Sequence, residues 1–419
     1  MKIKTLALSA AALIGSIISP ATAAAQNATT SPYSMMGYGL LNDHVTSSQR
    51  AMGGVGYAMR SSSQINVMNP ASYAAIDSMT FLFDMGVDAG ALHSTESGES
   101  NKKTLGGLNY LTMQVPLTKW MGASLGLLPY STVGYAFGGE VVNGESTYQG
   151  SGGINEAYIG VGAKPFKNFT IGANVGYLFG NIINDTYVLA DNSLNSTSLY
   201  ERVLKVRDYN LQFGAQYGVN IGRKHQVTAG LTYSPGKSTL GHCYGVKYDV
   251  ENGATTPDTI GYTSTRHGYS RPDTWGVGLA YNWNNSVQVE ADFTYQPWSK
   301  ARFDGIEGFS NALQLADRYK VALGAAYTPH YRGSYWRRMT YRAGAFYNRD
   351  YMMIGDNHVK EIGLTCGLGL PTPMRTLVNV GFEYRHRATS PVATLSENYY
   401  MVTIGISLNE TWFMPSKIR

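Results

Sequence analysis

Four segments far apart in the chain alternate apolar and polar side chains with a period of two, and this limits the fold more than any other feature. Across residues 169–180, Phe169, Ile171, Ala173, Val175, Tyr177 and Phe179 share a face opposite Thr170, Gly172, Asn174 and Gly176. Tyr209, Leu211, Phe213, Ala215 and Tyr217 alternate with Asp208, Asn210, Gln212, Gly214 and Gln216. Val287, Val289, Ala291, Phe293 and Tyr295 alternate with Gln288, Glu290, Asp292, Thr294 and Gln296. Val378, Val380, Phe382 and Tyr384 alternate with Asn379, Gly381, Glu383 and Arg385. Two folds use strands of this kind. A soluble sandwich buries the apolar face, whereas an outer-membrane barrel turns it toward lipid. Alternation alone does not choose between them.

The spacing of the turns does. Tight turns are expected near residues 118–122, 164–168, 220–224, 282–285 and 371–375, with a longer one at 329–337. Polar loops are expected between them, near 94–103, 138–147, 189–197, 238–267, 303–311, 355–357 and 388–397. Short connections at one end and long ones at the other are the hairpin rhythm of an outer-membrane barrel, and about seven hairpins give about 14 strands.

The N-terminus agrees. Lys2 and Lys4, an apolar run over 5–18 and Ala23-Ala24-Ala25 before Gln26 read as a cleaved secretory signal, residues 1–25. That run is too short to anchor the chain, and no later stretch of about 20 apolar residues offers a helical span. Forty-eight Gly and 31 Tyr with only 15% charged residues suit a barrel with aromatic girdles and a small or polar lumen. The net charge of +5, less the two signal lysines, leaves +3 and makes no case for a nucleic-acid partner. The expected fold is all-β, a transmembrane antiparallel barrel of about 14 strands with an N-terminal plug. Its parts are a signal (1–25), a hatch (26–77), the barrel (78–413) and a short periplasmic tail (414–419). The expected location is the outer membrane of a Gram-negative bacterium, in contact with its lipid. Cys243, in an expected loop, and Cys366, in an expected strand, read as two free thiols.

Residues 50–72, RAMGGVGYAMRSSSQINVMNPAS, follow no sustained period and hold too much Gly and Ser for a stable helix. Gly53, Gly54 and Gly56 allow close backbone approach, and Pro70 gives the Asn69-Pro70-Ala71 turn a definite shape. Arg50-Ala51-x-Gly53-Gly54 followed by Asn69-Pro70-Ala71 behind a signal resembles the hatch of the FadL/OMPP1/TodX superfamily. It is also similar to PorV, a relative that serves the type IX secretion system. Residues 117–135, LTKWMGASLGLLPYSTVGY, resemble a segment common in the FadL-like proteins of Bacteroidetes.

The resemblance implies a passive outer-membrane channel for small hydrophobic or amphipathic molecules, of the long-chain fatty-acid type. In that family the third strand kinks inward and opens a lateral gap. Pro129, just after Gly126, interrupts the third expected strand where a closed barrel has no edge to hold a proline. Gly126 and Pro129 are therefore the candidate lateral opening, with the Asn69-Pro70-Ala71 turn expected beside it. The resemblance to PorV implies a second reading, a barrel that docks protein partners for secretion or outer-membrane assembly. The long loop at 238–267 suits such contact.

Alternation places Asp208, Gln212, Glu290, Asp292, Glu383 and Arg385 in the lumen, either as a network against the hatch or as the lining of a wet pore. Gly122-Ala-Ser124-Leu-Gly126 matches the serine-hydrolase string GxSxG, but it lies in a barrel strand and lacks the strand–turn–helix context. No catalytic residue, cofactor or metal site is expected, and the histidines have no ligand spacing.

Overall fold

The computed structural model describes residues 30–96, 98–141, 144–190, 196–251, 258–266, 268–307, 309–330, 333–372 and 375–411. The expected signal and the tail at 414–419 lie outside them. Fourteen antiparallel staves follow in chain order. They are β1 Thr80–Glu96, β2 Glu99–Thr118, β3 Met121–Val141, β4 Gly144–Phe166, β5 Phe169–Ala190, β6 Ser196–Ile221 and β7 His225–Ser234. The rest are β8 Thr274–Trp283, β9 Val287–Gln296, β10 Arg318–Tyr327, β11 Thr340–Ile354, β12 Asn357–Pro371, β13 Leu377–Ser390 and β14 Leu395–Thr411. Each pairs with its neighbours, and β14 pairs with β1 from Leu395↔Glu96 to Thr411↔Thr80, which closes the ring.

The faces fall as the alternation requires of a membrane barrel. Ile159, Val175, Tyr177, Tyr209, Phe213, Tyr217, Leu364 and Phe382 are exposed on the outer wall. Thr112, Gln114, Ser124, Glu156, Thr170 and Asn174 are buried on the inner one. This is the reverse of a soluble core, because the outer face meets hydrocarbon.

The expected loops at 94–103 and 138–147 are corrected to strand. β1 and β2 turn over at Gly98, and strand runs to Val141 and resumes at Gly144. β3 to β6 span 21, 23, 22 and 26 residues, about twice the 9–11 that cross a bilayer. Their backbone pairing continues past the apolar band, so polar residues there sit in a ladder and not in loops. The expected loop at 238–267 is likewise largely strand. Gly241–Glu251 pairs with the upper part of β6 and with Asp258–Thr265. Cys243 is therefore in a strand and buried, Cys366 lies exposed on β12, and both are free.

Residues 30–79 precede β1 and fill the inside of the ring. Their contacts reach β3 at Gly134, β6 at Ala215, β9 at Asp292 and β14 at Leu395. A short α-helix, Ser47–Arg50, starts at Thr46 with a capping box to Gln49. A 3-10 helix, Pro70–Ala75, starts at Asn69, whose side chain accepts the Ala71 N–H. The Asn-Pro-Ala turn thus has the fixed shape that proline at the first helical position provides.

Candidate functional site: a latched hatch beside a split wall

The inner face of β9 reads the hatch backbone. Glu290, Asp292 and Thr294 occupy alternate positions and so point the same way. Asp292 Oδ2 accepts from Gly56 N (2.7 Å) and Tyr57 N (3.0 Å), and Glu290 Oε1 accepts from Ala58 N (2.9 Å). The Tyr57 hydroxyl meets Thr294 Oγ1 at 2.9 Å. Two carboxyl groups therefore satisfy three consecutive backbone donors, in bonds shielded from water. Just upstream, Gly53 and Gly54 hold φ of +75° and +80°, a region that side chains make costly. A Cβ at Gly53 would also lie 2.8 Å from the Leu323 carbonyl of β10.

Ion pairs complete the grip. On the hatch, Asp43 accepts from Lys320 Nζ (2.5 Å) and Arg318 Nη2 (3.1 Å), both inward residues of β10. Burial would raise the Asp43 pKa, but the two cations overcome it and hold the carboxyl well below the usual carboxylate range. Arg50 lies 3.7 Å from Asp88 of β1 and 3.8 Å from Glu383 of β13, and it donates to Asn109 Oδ1 (3.1 Å). Behind it, Arg385 pairs with Glu383 and with Glu361 (3.4 Å), and Arg387 with Glu361 (2.6 Å) and Glu397 (3.7 Å). Ser31 of the hatch donates to Glu397 (2.7 Å).

Four of the expected lumen residues, Glu290, Asp292, Glu383 and Arg385, meet the hatch directly or through one neighbour. Gln212 joins them by donating to the Met68 carbonyl (2.8 Å). Asp208 does not. It binds Lys237 (2.5 Å) and Arg271 (3.1 Å) under the loop between β7 and β8. Asp43, Arg318, Lys320, Glu361 and Arg387 were not foreseen. Arg318-Tyr319-Lys320 carries the same alternation, with Tyr319 between two inward cations, and was readable on that ground.

On the opposite side the wall is split. β2 and β3 pair only from Thr118↔Met121 up to Leu111↔Leu127. Above that the two strands have no shared ladder. β3 bulges at Tyr130, between Pro129↔Asn155 and Ser131↔Ile154, while keeping its other neighbour β4. The edge thus freed is taken by the hatch: Leu40 pairs with Thr132 and Leu41 with Ser131. Asn42 N donates to the Tyr130 carbonyl (3.0 Å) and Ser34 Oγ to the Gly134 carbonyl (3.0 Å). A cavity of about 110 Å3 lies in the gap, bounded by Leu41, Leu105, Leu108, Pro129 and Arg50. Pro129 thus stands at the split in the third strand. Gly126 lies below it in the paired zone, opposite Thr112 and Tyr158.

The hatch turn is not beside this gap. Pro70 packs on Gly162 and Gly172 of β4 and β5, and Asn69 on Gly214 of β6. Their missing side chains leave a groove that the turn fills, so the glycines set its place, and residues 34–42 cover the gap instead. Ser124 of the GxSxG string donates to the Met113 carbonyl (2.8 Å) and meets Tyr158 Oη (2.9 Å), as a strand residue does. Among the described residues no cluster of His, Cys, Asp or Glu could hold a metal.

The family described as BamG matches residues 3–419. No curated protein matches the chain. In structure it is similar to the Pseudomonas putida toluene transporter TodX, at TM-score 0.62 and 15% identity over 89% of this chain and 100% of that one. The Ralstonia pickettii toluene transporter TbuX gives 0.59 and 14%, over 88% and 99%. A Pseudomonas aeruginosa FadL homologue gives 0.59 and 11%, over 89% and 100%. At such identities the likeness establishes the shared barrel fold.

Proposed function

The chain belongs to the BamG family, and from that membership and its filled lumen we propose that it is a docking subunit of an outer-membrane assembly or secretion complex. The observation that carries this reading is how the lumen is filled. The hatch is fixed by Glu290, Asp292 and a buried ionic network, in the place where a channel needs a path. The cavities bordering the hatch within the barrel hold about 40, 110, 110 and 290 Å3; charged and polar groups line most of them, and only the one at the split has a substantial apolar border. Small-molecule sites are commonly 300–1,000 Å3 and mostly apolar, and a cavity known to bind benzene is apolar and holds about 150 Å3. Fixed polar filling suits a rigid platform, because each buried charge has a partner to lose on opening.

A second reading, uptake of hydrophobic compounds, is favoured by the split at Pro129, where Leu105 and Leu108 border a cavity open toward the wall. The structural relatives named above as toluene transporters share this fold. Long-chain fatty acids, toluene or another apolar molecule would fit that reading equally.

Affinity purification of the tagged protein from native outer membranes, with mass spectrometry of proteins and extracted small molecules, separates the two. Stoichiometric protein partners without an enriched apolar compound are expected. An enriched apolar compound with the barrel otherwise alone would replace docking by uptake.

A further inference from the structure

The short-turn end of the barrel carries a charge that neither the hatch nor the wall uses. Among the described residues its six turns contribute one, two, two, none, two and one exposed Lys or Arg, from Lys119 at the first to Arg375 at the last. The exposed carboxylates there, among the described residues, are Asp77 and Glu410. Both the start of β1 and the end of β14 lie at this end, which is the periplasmic one in an outer-membrane barrel.

Inside the rim the charge converges on a cavity of about 290 Å3 between the hatch and the inner ends of β3 to β7. Arg60, Lys119, Lys164 and Lys167 line it, together with neutral polar and small residues and no Asp or Glu. Arg60 belongs to the hatch and is half-buried. It donates to Thr170 Oγ1 (2.8 Å), and a Cβ at Gly218 would sit 2.8 Å from its Nη1, so the glycine makes room for the guanidinium. Burial pushes the Arg60 pKa down, and no neighbouring charge offsets it. In the network that grips the hatch, Arg50, Arg318, Lys320, Arg385 and Arg387 each face a carboxylate. Here four converge without one, and mutual repulsion makes the group a receptor for anions.

We propose that this cavity is a docking site for an acidic, extended peptide segment of a periplasmic partner. The proposal rests on the docking reading above. Anionic headgroups of the inner leaflet share the charge, but they lie outside the ring. Thr170 and Gly218, which position Arg60, face inward, so the site opens from the lumen mouth to the periplasm. Carboxylate side chains spaced along a flexible strand can reach several cations at once, and both Arg and Lys donate to them well.

The test uses the full-length protein in nanodiscs of zwitterionic lipid, with a short fluorescein-labelled oligoglutamate as probe and anisotropy as readout. The wild type should bind it with an affinity that falls as salt rises. The triple variant Lys119→Glu, Lys164→Glu, Lys167→Glu should lose about tenfold or more, while Arg337→Glu with Arg338→Glu, on the far rim, loses less. Retention of heat-modifiable mobility on gels checks that each variant is folded. Failure of the wild type to bind, or equal binding by the triple variant, would overturn the proposal. So would dependence on the three lysines for phosphatidylglycerol-containing nanodiscs in place of the peptide. Oligoglutamate needs no native partner, so this measurement stands even if the purification finds none. Conversely, a triple variant that keeps a stoichiometric partner and still binds the peptide removes this site and leaves docking in place.

Discussion

The hatch meets its barrel in two different ways, on β9–β13 and on β2–β3. On the first side the wall is continuous, and the contact is between side chains and a foreign backbone: Glu290 and Asp292 hold Gly56 to Ala58, and Lys320 holds Asp43. On the second the wall is incomplete, and hatch backbone pairs with wall backbone through Leu40 and Leu41. A plug gripped only by side chains can leave without disturbing the ring. A plug that also supplies ladder hydrogen bonds is part of the ring, and its departure would strand the edge of β3. The two contacts therefore hold the same segment for different reasons, charge satisfaction on one side and edge coverage on the other.

The largest effect should come from removing the carboxylates. With Glu290→Ala and Asp292→Ala, three buried N–H donors lose their acceptors, at a cost of about 3–9 kcal/mol. Trypsin should then cut the hatch after Arg60 in an otherwise folded barrel, and planar bilayers should show new conductance. A protected hatch in that variant would mean the seam alone holds it, and the comparison would collapse. Arg50→Ala comes next. It weakens one buried and one half-buried carboxylate at once, but Glu383 keeps Arg385 and Asp88 keeps Thr403 (2.5 Å). The loss should be about 2–3 kcal/mol, under the figure for a fully stranded buried charge, visible as faster hatch proteolysis without new conductance.

The latched side was largely legible in the sequence, because period-two alternation assigns Glu290, Asp292, Glu383 and Arg385 to the lumen without any structure. The seam was legible only at Pro129. Leu40 and Leu41 are two apolar residues among Gly37, Gly39 and Asn42, and nothing local marks them as a strand. Their pairing is a tertiary event: an edge left open at Ser131 and Thr132 recruits whatever extended backbone lies beside it. The same limit explains the misplaced Asn-Pro-Ala turn. Its shape is local, but its seat on Gly162 and Gly172 depends on which glycines the register brings together. The long loops were misread because polar strand beyond the membrane band looks like loop when strands are taken to end with the bilayer.

Acid tests the charged side more gently. Asp43 has a folded pKa held far below its unfolded value of about 3.9. Its contribution is therefore full above about pH 4 and lost as the pH falls below that. Hatch protection against an acid-stable protease such as pepsin should fall between about pH 4 and pH 2. Asp43→Asn should lower protection at neutral pH and flatten that acid-dependent part. Retention of the full dependence in this variant would assign it to other carboxylates.

The smallest effect is expected at Pro129, and it decides what keeps the wall open. Valine there restores a backbone donor, and a proline that alone prevented pairing would be replaced by a strand that zips to β2. The geometry argues otherwise, since the edge above Pro129 is already occupied from Tyr130 to Gly134 by Asn42, Leu41, Leu40 and Ser34. Pro129→Val should change stability by less than about 1 kcal/mol, within the span of strand propensities at a half-buried position. Leu41 and Ser131 are direct partners, so Leu41→Cys with Ser131→Cys should oxidise to a disulfide. That cross-link should form equally with Pro or Val at 129. Its loss in the valine variant, with β2 and β3 closed, would make the proline the wedge and the hatch strand its passenger. Its persistence would make the hatch itself the missing length of wall.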